Sequence, residues 1–108
     1  MRLNDYQKLA ARTINFNLDA SEMLLNGCMG LCGEAGEVID ALKKHRAQGH
    51  SLDREKLIDE LGDVMWYVAE TATALDIELK DVAKFNIAKL AKRYPEGFNS
   101  DRSINREA

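Results

Sequence analysis

A chain of 108 residues, 45% hydrophobic and 31% charged, is long enough for one globular domain and too short for two. Its net charge of −3 and pI of about 5.4 exclude the broad basic surface that non-specific binding to a nucleic-acid polymer needs. No apolar run approaches the roughly 20 residues of a membrane span and no apolar signal core opens the chain, so no membrane is expected and the cytoplasm is the expected compartment.

Four amphipathic helices are predicted in chain order. The first covers residues 4–16, with Asn4 as cap, Gln7 in the capping-box position, and Tyr6, Leu9, Ala10, Thr13 and Ile14 at helical spacing. The second covers 22–46 on a stripe of Leu24, Cys28, Leu31, Ala35, Val38 and Leu42. Gly27, Gly30, Gly33 and Gly36 interrupt it at a cost of about 1 kcal/mol each, so a close approach is expected there, or a helix that begins nearer Gly27. Cys28 and Cys32 have no zinc-ligand spacing around them and read as small buried hydrophobes. Lys43 and Lys44 read as a solvated helix end, His45 and His50 as exposed loop-edge residues, and 47–52 as a turn. The third helix covers 53–75, capped by Ser51 or Asp53, on a stripe of Leu57, Leu61, Val64, Met65, Val68, Ala72 and Leu75. The fourth covers 79–94 on Leu79, Ala83, Ile87, Leu90, Ala91 and Tyr94, and Pro95 and Gly97 stop it. Residues 99–108 read as a loose polar tail. No stretch alternates like a strand, so the fold class is all-α, a four-helix bundle-like single domain. Trp66 lies far from the Leu61 stripe and is expected at a subunit interface, with base stacking as the alternative for Trp66, Tyr67 or Phe16.

The carboxylates are the chemical signal. At roughly 100° per residue, Glu34 and Glu37 lie about 60° and about 120° from Leu31, on one flank of the second helix. Glu60 and Asp63 lie about 100° and about 160° from Leu61 on the same side of the third. Each pair is spaced i, i+3, adjacent on its helix. Four gathered carboxylates repel unless a cation neutralises them, and hard oxygen ligands suit Mg²⁺, with Mn²⁺ as a possible substitute. Two ordinary solvated acidic edges are the alternative reading. A di-iron bundle needs Glu-x-x-His, and the residues three before His45 and His50 are Leu42 and Ala47. On the fourth helix Asn86, Lys89 and Arg93 share a face that suits phosphate oxygens, or that simply complements the helix dipole.

Gly33-Glu34-Ala35-Gly36-Glu37-Val38, followed 23 residues after Glu37 by Glu60-Leu61-Gly62-Asp63-Val64, resembles the E-x-x-E…E-x-x-D signature of MazG-like nucleotide pyrophosphohydrolases. The opening Asp5-Tyr6-Gln7 and the closing Asn86…Lys89…Arg93-Tyr94-Pro95 are similar too, so the resemblance spans residues 4–98. It implies an all-α catalytic domain over 1–98 that uses Mg²⁺ to split a nucleoside triphosphate, NTP or dNTP, into monophosphate and pyrophosphate. It implies Glu34, Glu37, Glu60 and Asp63 as metal ligands, and Asn86, Lys89 and Arg93 as substrate-facing residues. Glu37, which sits furthest from its apolar stripe, is favoured as the catalytic base, with Glu34 beside it. A homodimer or homotetramer whose site borrows residues from a neighbour is also implied. The rivals are a nucleotide-binding protein without turnover and a helical interaction protein of the same fold.

Overall fold

The computed structural model describes residues 1–105, all helix and connection. The helices are α1 (Leu3–Ala11), α2 (Ala20–Ala47), α3 (Arg54–Ala74), α4 (Leu79–Arg93) and α5 (Ser100–Ile104). Among the described residues no helix is long and apolar enough to cross a membrane.

Helix ends follow their local chemistry. Asp19 opens α2: its carboxylate accepts from the Glu22 N–H at 2.8 Å, and Glu22 accepts from the Asp19 N–H at 3.1 Å. That reciprocal pair satisfies two amides with no intrahelical partner, and it starts α2 earlier than the glycines suggest. Asp53, not Ser51, caps α3 by accepting from the Lys56 N–H at 3.0 Å. Asp76, in the left-handed region at φ 56°, turns the chain so that the Ile77 N–H reaches the Ala72 carbonyl at 3.0 Å, closing α3 as a left-handed residue commonly does.

Helix α1 ends at Ala11, five residues before the sequence pattern fades, and its capping signal is used elsewhere. Asp5, not Gln7, accepts from the N-terminal amide of the helix, at Arg2. The Asn4 and Gln7 oxygens instead accept from the Lys80 and Leu79 N–H groups at 3.0 and 2.7 Å. Two side chains of α1 thus cap α4, whose own N-cap, Glu78, makes no side-chain cap bond. Gln7 also donates to the Thr73 hydroxyl and the Ile77 carbonyl, fastening α1 to the α3–α4 turn.

Helix α3 is central. It packs along α2 on one side and against α1 and the start of α4 on the other. Ala69 and Ala72 are therefore buried, and Ala10, Ala69 and Leu79 form a small core sealed by Tyr6, Trp66 and Val68. Leu61, Met65 and Leu75 of the predicted stripe are exposed, whereas Glu60 and Glu70 are buried, at 4% and 1% exposure. The stripe is split between faces: Val68 and Ala72 turn to the interior, Leu61, Met65 and Leu75 turn outward, and the inner face also carries two carboxylates. Each oxygen of Glu70 accepts from the Asn26 amide, at 2.9 and 3.1 Å, which supplies the partner a buried carboxylate requires.

The glycine expectation divides. A methyl group on Gly27 would strike the Thr71 hydroxyl and lie 3.3 Å from the Thr71 Cα, and one on Gly30 would enter the Tyr67 ring. Gly33 and Gly36 face open space. Close approach of α2 to α3 is thus set over one helical turn.

Other expectations are corrected. Cys28 and Cys32 are exposed free thiols, not buried hydrophobes. His45 is half-buried, its Nδ1 2.8 Å from the His50 carbonyl oxygen, pinning the turn after α2. Residues 100–104 of the expected loose tail form α5, capped by Asn99; 106–108 lie outside the described residues. Beyond Ala83, the apolar stripe of α4 emerges uncovered at Ile87 and Leu90.

Candidate metal centre

The antiparallel run of α2 along α3 brings the two acidic motifs together. Glu34, Glu60 and Asp63 each offer a carboxylate oxygen, and these atoms lie within 4.8 Å of one another. Glu60 is buried, Glu34 half-buried and Asp63 exposed, so the cluster forms the wall of an opening rather than part of the interior. Glu37, one turn further along α2, is exposed and outside the trio, but its charge reaches both Glu34 and Lys56.

The electrostatics are those of crowded carboxylates with one local counter-ion. Partial burial first, then hydrogen bonding with Glu60 and the charges of Asp63, Glu60 and Glu37, hold the Glu34 carboxyl above its usual range. Glu60 moves the other way, chiefly because Lys56 Nζ donates to it at 2.8 Å; its immediate neighbours cover it without sinking it into the interior. The same bond raises the Lys56 ammonium above its usual value. Tyr6 on α1 is raised by burial and then by the charge of Asp63.

This donor set fits a hard divalent cation. All three groups are oxygens, the preferred ligands of magnesium.

A recess of about 330 Å³ opens beside the cluster, lined by Thr13, Glu34, Asp63, Trp66 and Tyr67. Trp66 is therefore not a bare outer-surface residue. It packs against the small core, its indole N–H donates to the Thr13 hydroxyl at 2.8 Å, and its ring meets Tyr67 edge-to-face at 5.0 Å. Phe16 does not line the recess, and neither do Asn86, Lys89 or Arg93; on α4 the first two are exposed and Arg93 is half-buried. The sequence reading missed Lys56 and Thr13. Lys56 carried a signal, four residues before Glu60 on one helix face. Thr13 carried none, since its place depends on where α1 stops.

The chain is similar to Gene 37 protein of Mycobacterium phage L5, with 37% identity over 114 residues that cover 98% of this chain and 100% of the phage protein. No solved structure matches it. Residues 25–98 match the MazG nucleotide pyrophosphohydrolase domain; that segment holds both acidic motifs, and the chain belongs to the MazG nucleotide pyrophosphohydrolase family.

Proposed function

We propose that this protein is a magnesium-dependent nucleoside triphosphate pyrophosphohydrolase that converts an NTP or dNTP to its monophosphate and pyrophosphate. The observation that carries the reading is the convergence of Glu34, Glu60 and Asp63 from two helices onto one point, beside a recess large enough for part of a nucleotide. Bound magnesium, or manganese in its place, neutralises the polyphosphate and polarises the phosphoryl oxygens.

The chain's own groups divide the remaining work. Glu34, Glu60 and Asp63 would hold the ion, and Glu37, exposed one helical turn along α2 from Glu34, would stand beside them. Water attacks the α-phosphorus, the bond to the β-phosphate breaks, and pyrophosphate leaves. Glu37, exposed and outside the trio, remains free to accept the proton of the attacking water. Lys56 lies one helical turn from Glu60 and turns its ammonium toward the site, where it offsets negative charge. Asn86, Lys89 and Arg93 do not line the recess within one chain. We therefore assign them to the phosphates of a site on a neighbouring copy, in a homodimer or homotetramer. Removal of unwanted nucleotides from the cytoplasmic pool is the role this chemistry suits.

The test is pyrophosphate release with magnesium across common and damaged NTPs and dNTPs, with products resolved. Monophosphate plus pyrophosphate is expected, and Glu37→Gln and Asp63→Asn should each lose it while keeping the helical circular dichroism spectrum. Full activity in both variants, or diphosphate plus phosphate as products, would overturn the assignment. Tight magnesium-dependent binding without turnover would favour a nucleotide-binding protein.

A further inference from the structure

The polar atoms around the recess have a fixed hydrogen-bonding sense. The Thr13 hydroxyl has one proton and two lone pairs. Its proton goes to the Ala10 carbonyl at 2.8 Å, and one lone pair receives the Trp66 indole N–H at 2.8 Å. What Thr13 has left is a lone pair, so it accepts and cannot donate. The indole N–H of Trp66 is spent on the same bond. Glu34 and Asp63, when ionised, only accept. Of the five lining side chains, only the Tyr67 hydroxyl keeps a proton that no acceptor among the described residues takes up. The recess is therefore rich in acceptors and poor in donors. Its aromatic part is a corner, with the Trp66 and Tyr67 rings inclined at 86°, against which a flat ring can stack on one face while its edge meets the other wall. Gly30 keeps this corner open by leaving room for the Tyr67 ring.

We infer that this corner is a nucleobase subsite selecting bases that carry an exocyclic amine, with Thr13 Oγ1 accepting an amine N–H while the ring stacks on Trp66 or Tyr67. The inference rests on the pyrophosphohydrolase reading, since it takes the carboxylate wall as the phosphate end of the same ligand. Thr13 acts here as a specificity-determining residue. A base presenting a carbonyl oxygen in that position would face an acceptor, and discrimination by such a mismatch exceeds what apolar contact alone gives.

The chain has a single tryptophan, so fluorescence reports on the subsite without relying on catalysis. The experiment titrates the full chain, with magnesium, with α,β-methylene analogues of CTP and ATP. Each is compared with its counterpart in which the exocyclic amine is replaced by hydrogen, the 2-pyrimidinone and purine ribosides. Quenching of Trp66 is expected with all four. At least one amine-bearing analogue should bind about threefold to tenfold tighter than its counterpart, the value of one neutral hydrogen bond. Thr13→Val should bring that ratio to about one, and Thr13→Ser, which keeps the hydroxyl, should retain it. Equal affinity of both amine-bearing analogues and their counterparts for the wild-type chain would overturn the inference, even if Thr13→Val fails to fold. So would a Thr13→Val variant that weakens both members of a pair alike. Turnover of the hydrolysable triphosphates is measured in parallel. Turnover without an amine preference removes this inference alone. An amine preference in binding without turnover upholds it and removes the pyrophosphohydrolase reading.

Discussion

Glu34 and Glu60 lie within one cluster yet titrate in opposite directions, and the difference is Lys56. Glu60 receives the ammonium hydrogen bond, so its charged form is favoured; Glu34 has partial burial and three negative neighbours. A carboxyl raised above the ordinary Glu value of 4.5 binds protons more tightly folded than unfolded. Between the ordinary and the raised value, stability therefore falls as pH rises. Glu60 does the opposite: its contribution is present above the ordinary value and is lost as pH falls through the lower folded one. In magnesium-free buffer, Glu34→Gln should raise the melting temperature at pH 7 and change it little at pH 4, because the substitution removes a repulsion that exists only when Glu34 is ionised. The same variant should lose most of the magnesium-dependent rise in melting temperature expected of the wild type, since binding to the folded state alone is what stabilises. Thermal melts at the two pH values, with and without magnesium, check both outcomes; equal melting temperatures for variant and wild type at pH 7 would count against the crowded-carboxylate picture. Lys56→Gln should destabilise the chain at neutral pH and lose that effect once Glu60 is protonated, because only the ionised carboxylate needs the ammonium.

At the scale of the helix, the site depends on how closely α2 approaches α3, and two small residues set that distance. A methyl group on Gly27 would strike the Thr71 hydroxyl, which its bond to the Tyr67 carbonyl holds in place, and would press on the Thr71 backbone behind it. Gly27→Ala should cost about 1–3 kcal/mol, the usual range for overpacking, and should weaken magnesium binding by pushing Glu34 away from Glu60 and Asp63. Gly33→Ala, facing open space, should stabilise the helix by up to about 1 kcal/mol. Urea unfolding of the two variants checks the contrast. The fastening of α1 is tested in the same way. Gln7→Ala removes the acceptor for the Leu79 N–H and two further bonds, and loss of such a cap costs about 0.5–2 kcal/mol. Helices α2, α3 and α4 were legible in the sequence because long apolar periodicity and flanking turn residues agree. The i, i+3 acidic pairs were legible because spacing on one helix is local geometry. The capping roles of Asn4 and Gln7 were not, because a capping box is identical in sequence whether it serves its own helix or another one 70 residues away. The inner face of α3 was misread for a related reason. Periodicity finds the most apolar stripe, and on α3 only part of it, Val68 and Ala72, faces inward, while Leu61, Met65 and Leu75 point outward and Glu60 and Glu70 are covered by partners, Lys56 of the same helix and Asn26 of α2.

The whole molecule is open for its length. Its radius of gyration is 16.8 Å, against about 13 Å for a compact chain of 100 residues. Much of the excess comes with apolar surface. Leu25, Met29 and Ile39 along the outer face of α2, and Phe85 at 79% and Ile87 at 64% exposure on α4, are large side chains of the kind that single soluble chains rarely expose in contiguous patches. A helix apolar on two faces is built to be covered on both, and α2 is covered by α3 on one. Composition gave no sign of this, since 45% hydrophobic residues are compatible with either a closed monomer or an open protomer. The proposed second copy, covering these faces, would also explain why Asn86, Lys89 and Arg93 lie on a helix whose far half touches little of its own chain. The assignment has a direct consequence for mixed assemblies. Asp63→Asn damages the metal end of a site, and a Lys89→Ala, Arg93→Ala double variant damages the phosphate end. Each homogeneous oligomer should be inactive in pyrophosphate release. If each site combines the carboxylates of one copy with α4 of another, unfolding and refolding the two variants together yields some sites intact at both ends. In a dimer with random pairing, half of the assemblies are mixed and one of their two sites is whole, so about a quarter of wild-type activity should return. If each chain supplies its own α4, mixing cannot restore a site and activity stays at the level of the separate variants.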